Sequence, residues 1–200
     1  MAASIRMGEY GTYIGNTYNS SNYLTYNQMK INAVYIYKSF KDKGWTLNAI
    51  CGMLGNMQRE STLNPGIWQS NDVGNMDGGY GLVQWTPASK YINWLLIGDD
   101  PSTMDNNIKR IMYELENNLQ WISTETYPMS FQTFTTSTAR PEDLASVFLY
   151  NYERAGVAAE SERRRNALNW YLYLGGMFPQ EDYKVKKFPW ILYANKIRNR

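Results

Sequence analysis

The sequence predicts a mainly helical, α+β chain, with about six helices and one small β-hairpin. Three observations carry this. Apolar residues recur at helical spacing, most plainly Ile50, Met53, Leu54 and Met57, and again Ile108, Ile111, Met112, Leu115, Leu119 and Ile122. Capping residues open these stretches: Thr25 with Gln28, then Thr46 and Thr86. After the second helix comes a Gly-, Asn- and Pro-rich excursion holding two short aromatic runs, Ile67-Trp68-Gln69 and Tyr80-Gly81-Leu82-Val83-Gln84-Trp85. These read as two strands joined by a loop.

The helices follow in order. Leu24 to Lys43 is the first; Met29, Ala33, Ile36, Tyr37 and Phe40 form its buried stripe, and Gly44 ends it. The second starts after Thr46 and ends at Glu60, which continues the stripe beyond Met57. Gly52 and Gly55 lie on one side of it, where another backbone could approach. Each costs about 1 kcal/mol in a helix relative to alanine. Pro87 to Ile97 is the third helix, with Thr86 as N-cap and an apolar face of Tyr91, Trp94 and Leu95. Met104 to Ile122 is the fourth, with Lys109, Arg110, Glu114 and Glu116 on its solvated side. Ser123 to Ser137 is a loop. Pro141 opens the fifth helix, through Leu144, Val147, Phe148 and Tyr152. Ala158 to Leu174 is the last, ended by Gly175-Gly176, with a solvated basic patch at Arg163 to Arg165.

Composition narrows the function. The chain has 200 residues, 44% of them hydrophobic, which fits one domain with extensions. An irregular Gly-, Tyr-, Asn- and Ser-rich arm is expected over 1–22, a folded domain over 23–175, and a basic, aromatic extension over 176–200. A net charge of +2 is too small to argue for nucleic-acid recognition. The chain has no histidine, which removes Ser-His-Asp and Cys-His catalysis and argues against a histidine-ligated zinc site. No metal and no cofactor are expected. Cys51 is the single cysteine and cannot form an internal disulfide; it reads as a small buried residue. No stretch is long and apolar enough to span a membrane. The N-terminus lacks the apolar core of a secretory signal, so no signal peptide is expected.

Glu60 is the candidate for chemistry. A carboxyl at the end of a buried stripe is partly desolvated, and desolvation disfavours the charged form. A general acid working near neutral pH needs that property. An ordinary charged helix end is the alternative. The flanking runs offer Trp68, Gln69, Tyr80, Gln84 and Trp85. Aromatic faces and amides together suit sugar rings, which have apolar CH faces and hydroxyl edges. Core packing is the alternative for each of these rings, Trp85 above all. Gly81 allows a ligand or a backbone to come close.

The run AICGMLGNMQRESTLNPGIWQ, followed by GYGLVQWTPASKYINW, closely resembles the lysozyme domain of phage tail (tail-knob) peptidoglycan hydrolases. FLYNYER, Phe148 to Arg154, is a second match, and the likeness covers residues 23 to 174. It is also similar, more distantly, to goose-type lysozymes and soluble lytic transglycosylases. The resemblance implies a lysozyme-like bundle whose hairpin lines a substrate cleft. It implies that Glu60 is the catalytic acid, that Gln84 lines the cleft, and that Tyr152 approaches the substrate. Glu153 either pairs with Arg154 or lines the cleft, with a structural role favoured.

The activity implied is a lysozyme-type glycosidase. It would cut the β-1,4 bond between N-acetylmuramic acid and N-acetylglucosamine in bacterial peptidoglycan. The place implied is the virion, at the tail tip among other phage tail proteins, where wall cleavage lets DNA cross. Asp72 and Asp77 are the nearest downstream carboxylates, and either could serve as base or electrostatic stabiliser. If neither reaches the sugar, the chain resembles lytic transglycosylases, which give 1,6-anhydro products. An inactive wall-binding or structural tail protein is the reading from a different class, and a chitinase-like glycosidase is a third.

Overall fold

The computed structural model describes residues 2–156 and 159–178. Its centre is helix α2, Leu47–Ser61. Thr46 caps it as the sequence predicts, its hydroxyl accepting the Ala49 N–H at 3.1 Å. Ile50, Met53, Leu54 and Met57 are fully buried, but so are Ala49, Cys51 and Asn56 on the other faces. A helix covered all round is a central helix, not a surface helix with one buried stripe.

Two helices cover it: α6, Pro141–Phe148, and α7, Glu160–Met177, which also pack on each other. Gly52 and Gly55 make this possible. A β-carbon on Gly52 would lie 2.8 Å from Leu144 Cβ, and one on Gly55 would lie 2.4 Å from the carbonyl oxygen of Arg163. The two glycines are therefore where α6 and α7 come closest to the α2 backbone.

Helix α1, Tyr26–Asp42, begins with the predicted capping box of Thr25 and Gln28 and packs on α2. Against α1 lies an antiparallel pair, β1 (Ser4–Gly8) and β2 (Gly11–Gly15), in register from Ser4↔Gly15 to Gly8↔Gly11. The sequence reading expects an irregular arm here. Tyr13 and Ile14 are core residues, and buried Asn32 of α1 both accepts from the Ile14 N–H and donates to its C=O at 2.7 Å. The strand signal is hidden because the apolar side chains of β1, Ile5 and Met7, point to solvent.

Hence the chain is mainly helical with one small hairpin, but the hairpin is not the expected one. The runs 67–69 and 80–85 make only isolated bridges, Trp68 to Tyr80 and Tyr80 to Trp85, and Gln69–Asn71 is a single 3-10 turn.

Other boundaries move for local reasons. Helix α3 is Ser89–Ile92, and the Thr86 hydroxyl bonds the Gln84 carbonyl at 2.9 Å instead of capping. Leu96 and Ile97 are exposed. Helix α4 is Met104–Glu116, capped by Thr103. It stops early because Asn118 and Gln120 adopt left-handed backbone angles, with φ of 52° and 62°. Leu119 and Ile122 are then exposed. Inside the predicted loop a short helix α5, Phe131–Thr136, inserts Phe131 and Phe134 beside Trp45 and Trp121. Helix α6 opens at Pro141 as predicted and continues into a π turn, Leu149–Glu153. Helix α7 passes through Gly175-Gly176 to Met177. From residue 179 the expected C-terminal extension lies outside the described residues. No helix among the described residues is long and apolar enough to cross a membrane.

The Gly55 contact gives a sign test. Helix propensity alone makes Gly55→Ala stabilising by about 1 kcal/mol. Overpacking against α7 should outweigh it and destabilise by about 1–3 kcal/mol. A lower urea midpoint for the variant is expected, and a raised one would mean that α7 retreats freely.

Candidate active site

Glu60 is in the last turn of α2, and its side chain keeps 20% of its exposure. Its Oε1 accepts from Arg163 Nη2 at 2.5 Å. Arg163 is 2% exposed and also donates from Nη1 to Asn56 Oδ1 at 3.1 Å. Asn56 is fixed in turn, its amide donating to the carbonyls of Gly52 and Ala145 at 3.0 Å each. The Gly55 contact therefore brings in the α7 residue that holds Glu60. The solvated basic patch needs correcting: Arg163 is buried, Arg164 pairs with Asp143 at 2.8 Å, and Arg165 is exposed. The signal was present in the sequence. Arg163 shares a helical stripe with Ala167, Trp170 and Leu174, all buried.

The next residue joins the helix end to the excursion. Ser61 Oγ donates to Leu82 O at 2.7 Å and to Met57 O at 2.9 Å. Gly81 has φ of +80°, and a β-carbon there would lie 2.5 Å from Asn107 Oδ1. Asn107 accepts the Leu82 N–H at 3.0 Å, so the close approach at Gly81 is by a side chain of α4. Gln84 also has a left-handed backbone, with φ of 50°, and its Nε2 donates to Gly81 O at 3.0 Å and Ile67 O at 3.3 Å.

Gln84, Trp85, Thr86, Lys90, Gln120, Tyr152 and Glu153 line a cleft of about 200 Å³. Tyr152 and Glu153 come from the π turn, a local widening of the helix common at functional sites. Tyr152 itself is 1% exposed, and its hydroxyl donates to Glu114 Oε2. Glu114 is expected on the solvated side of its helix but is 1% exposed. Its other oxygen accepts from Trp85 Nε1 and from Arg110 Nε, both at 2.9 Å. Burial raises the Glu114 carboxyl above its ordinary range, while the Tyr152 hydrogen bond and Arg110 oppose that rise. Trp85 is in this core cluster, stacked on Tyr91.

The other candidates separate. Trp68 and Tyr80 are fully buried and packed on each other and on Tyr18, so neither ring offers a face to a ligand. Trp68 Nε1 donates to Tyr18 O at 2.8 Å. Gln69 is exposed and accepts the Gly79 N–H at 2.7 Å, closing the base of the loop. Asp72 and Asp77 are exposed on that loop, with Asp72 accepting from Asn75 Nδ2 at 2.9 Å.

Glu153, expected either to pair with Arg154 or to line the cleft, is among the cleft-lining residues. Its Oε1 is shielded from solvent and has no hydrogen-bond partner among the described residues. Burial pushes its carboxyl well above the ordinary range, the charge of Glu60 pushes the same way, and Arg163 opposes both. The expected partner, Arg154, turns to the carbonyl of Asn151 at 2.9 Å and to that of Gln120. Among the described residues no group of acidic, Cys or His side chains could hold a metal ion.

A model of the phage tail lysozyme family matches residues 31–174, and the chain belongs to that family. It is 49% identical over 160 residues to "Morphogenesis protein 1" of Bacillus phage B103, across 80% of this chain and 43% of that protein. The chain thus spans less than half the length of this relative.

Arg163 and Arg165 give a paired test. Arg163→Ala leaves Glu60 and Asn56 without this donor and should cost about 3 kcal/mol, the lower end for breaking a buried pair. Arg165→Ala should change stability by less than about 0.5 kcal/mol. Chemical denaturation of both variants checks this; equal losses would contradict the buried role of Arg163.

Proposed function

We propose that this member of the phage tail lysozyme family is a peptidoglycan glycosidase. It cleaves the β-1,4 bond between N-acetylmuramic acid and N-acetylglucosamine. The observation that carries the reading is Glu60, held by Arg163 at one end of α2 where Ser61 ties the helix to the cleft loop. Glu60 gives a proton to the bridging oxygen as the bond to the sugar carbon breaks, through a transition state like an oxocarbenium ion. Gln84 and the π turn line the space where the polymer lies. The enzyme works from the virion, with the phage tail as its assembly partner, and opens the host wall for DNA entry. The name of the Bacillus phage relative, a morphogenesis protein, supports a virion role.

The second catalytic group is Asp72 or Asp77, as base or stabiliser. One observation favours a different completion: Asp72 is engaged by Asn75 inside its own exposed loop. In that reading the acetamide and 6-hydroxyl of the substrate finish the reaction, as in lytic transglycosylases, and the product carries a 1,6-anhydro end.

Glu60→Gln should lower the rate of turbidity loss from purified peptidoglycan by about 10²–10⁴-fold, the usual contribution of a positioned acid. Equal rates for the two proteins would remove Glu60 from the chemistry, and no loss from either would favour a wall-binding tail protein. Asp72→Asn and Asp77→Asn separate the two completions. A comparable loss in one of them, with reducing-end products from the parent protein, identifies a hydrolase. Activity in both, with 1,6-anhydro ends by mass spectrometry, identifies a transglycosylase.

A further inference from the structure

The glycosidase reading uses Glu60 and leaves a second carboxyl beside it without a role. Glu153 ends the π turn, lines the cleft with Gln84, and keeps Oε1 out of solvent with no hydrogen-bond partner among the described residues. The charges that act on it are those of Glu60 of α2, Arg163 of α7, Glu114 of α4 and the adjacent Arg154. Lys90 of α3 lines the same cleft. Two of these are engaged elsewhere. Glu114 is held by Trp85, Tyr152 and Arg110, and Arg154 donates to main-chain carbonyls. Arg163 donates to Glu60. An ionised Glu153 would therefore add a second negative charge to a shielded site beside that of Glu60.

We propose that Glu60 and Glu153 share one proton, balanced by Arg163, and that Glu153 is the positioning partner that keeps that proton within the cleft for Glu60. This rests on the glycosidase reading and supplies what it needs, because a carboxylate paired with arginine has no proton to give. Two carboxyls close together in a poorly solvated site do not both ionise readily, and they lose their protons in steps that belong to the pair. In the resting cleft the proton is on Glu153 and Glu60 is the ion-paired carboxylate. When substrate draws Glu60 away from Arg163, the proton leaves a Glu153 oxygen for a Glu60 oxygen, and Arg163 then faces the Glu153 carboxylate. Glu60 passes the proton to the bridging oxygen, which takes the electron pair of the breaking bond to the sugar carbon. The group that next adds to that carbon, water or the 6-hydroxyl, releases a proton and restores the pair.

The test has one arm that needs no activity. Carboxyl titrations by carbon-13 NMR are compared in the parent protein, Glu60→Gln and Glu153→Gln. Sharing requires the Glu153 titration to move to lower pH in Glu60→Gln, because the like charge is gone and Arg163 is released. An unmoved titration overturns the proposal. The second arm is the pH profile of peptidoglycan cleavage. In the parent protein activity persists until the pair loses its last proton; in Glu153→Gln there is no pair to hold it. The alkaline limb should then fall at lower pH by at least about one pH unit. An active Glu153→Gln enzyme with an unchanged limb overturns the proposal. If the parent protein cuts no peptidoglycan, the glycosidase reading fails, and the NMR arm alone decides the sharing.

Discussion

The contact between α2 and α7 sets the rest of the structure. It is close because Gly55 has no side chain, and that closeness puts Arg163 beside Asn56 and Glu60. A buried guanidinium is tolerated only where its donors are met and its charge is opposed. Here an amide oxygen and a carboxylate oxygen do so, and the Asn56 amide is itself locked to the carbonyls of Gly52 and Ala145. The pair thus belongs to a network that crosses α2, α6 and α7. Replacing it with apolar residues could leave stability unchanged or raise it, since buried pairs seldom contribute net stability. Its value is in orientation: it fixes the Glu60 carboxylate at the C-terminal end of α2.

A second network gathers around Glu114. It joins Trp85, Tyr152 and Arg110, and so ties the excursion, the π turn and α4 together. The excursion from Thr62 to Ala88 has almost no regular pairing of its own. Buried amide side chains satisfy its backbone instead. Asn107 accepts from Leu82 and donates to Pro65 O, Asn64 accepts the Gly66 N–H, and Asn32 donates to Leu63 O. Buried main-chain groups must find partners, and a loop that forgoes a ladder must find them among side chains. The result is a rigid rim that carries Gln84, with the exposed loop of Asp72 and Asp77 beyond it.

Local signals in the sequence are well read, and distant ones are not. Thr46, the Thr25–Gln28 box and the Pro141 start are caps and turns whose physics lies within four residues, and each is where the sequence puts it. The position of Glu60 on the stripe of Met57 is legible for the same reason. Its partner is not: Arg163 is 103 residues away, and three consecutive arginines look like a surface. The expected aromatic hairpin does not form, because its rings are buried. Trp and Tyr are abundant in strands, but here Trp68 and Tyr80 are core side chains of an irregular segment. The true hairpin escaped because its exposed strand carries Ile5 and Met7 outward. The burial of Glu114 is not legible because charged residues are so seldom buried that the default assigns them to solvent.

The proposed chemistry depends on Glu60 being the point where a glycan reacts. Its most direct test is a crystal structure of the Glu60→Gln variant with a bound peptidoglycan oligosaccharide. The bridging oxygen of one β-1,4 bond should lie within about 2.6–3.2 Å of the substituted side chain, directly or through one water. The chain of sugars should run past Gln84. An oligosaccharide seated elsewhere, with the substituted amide still turned to Arg163, would contradict it.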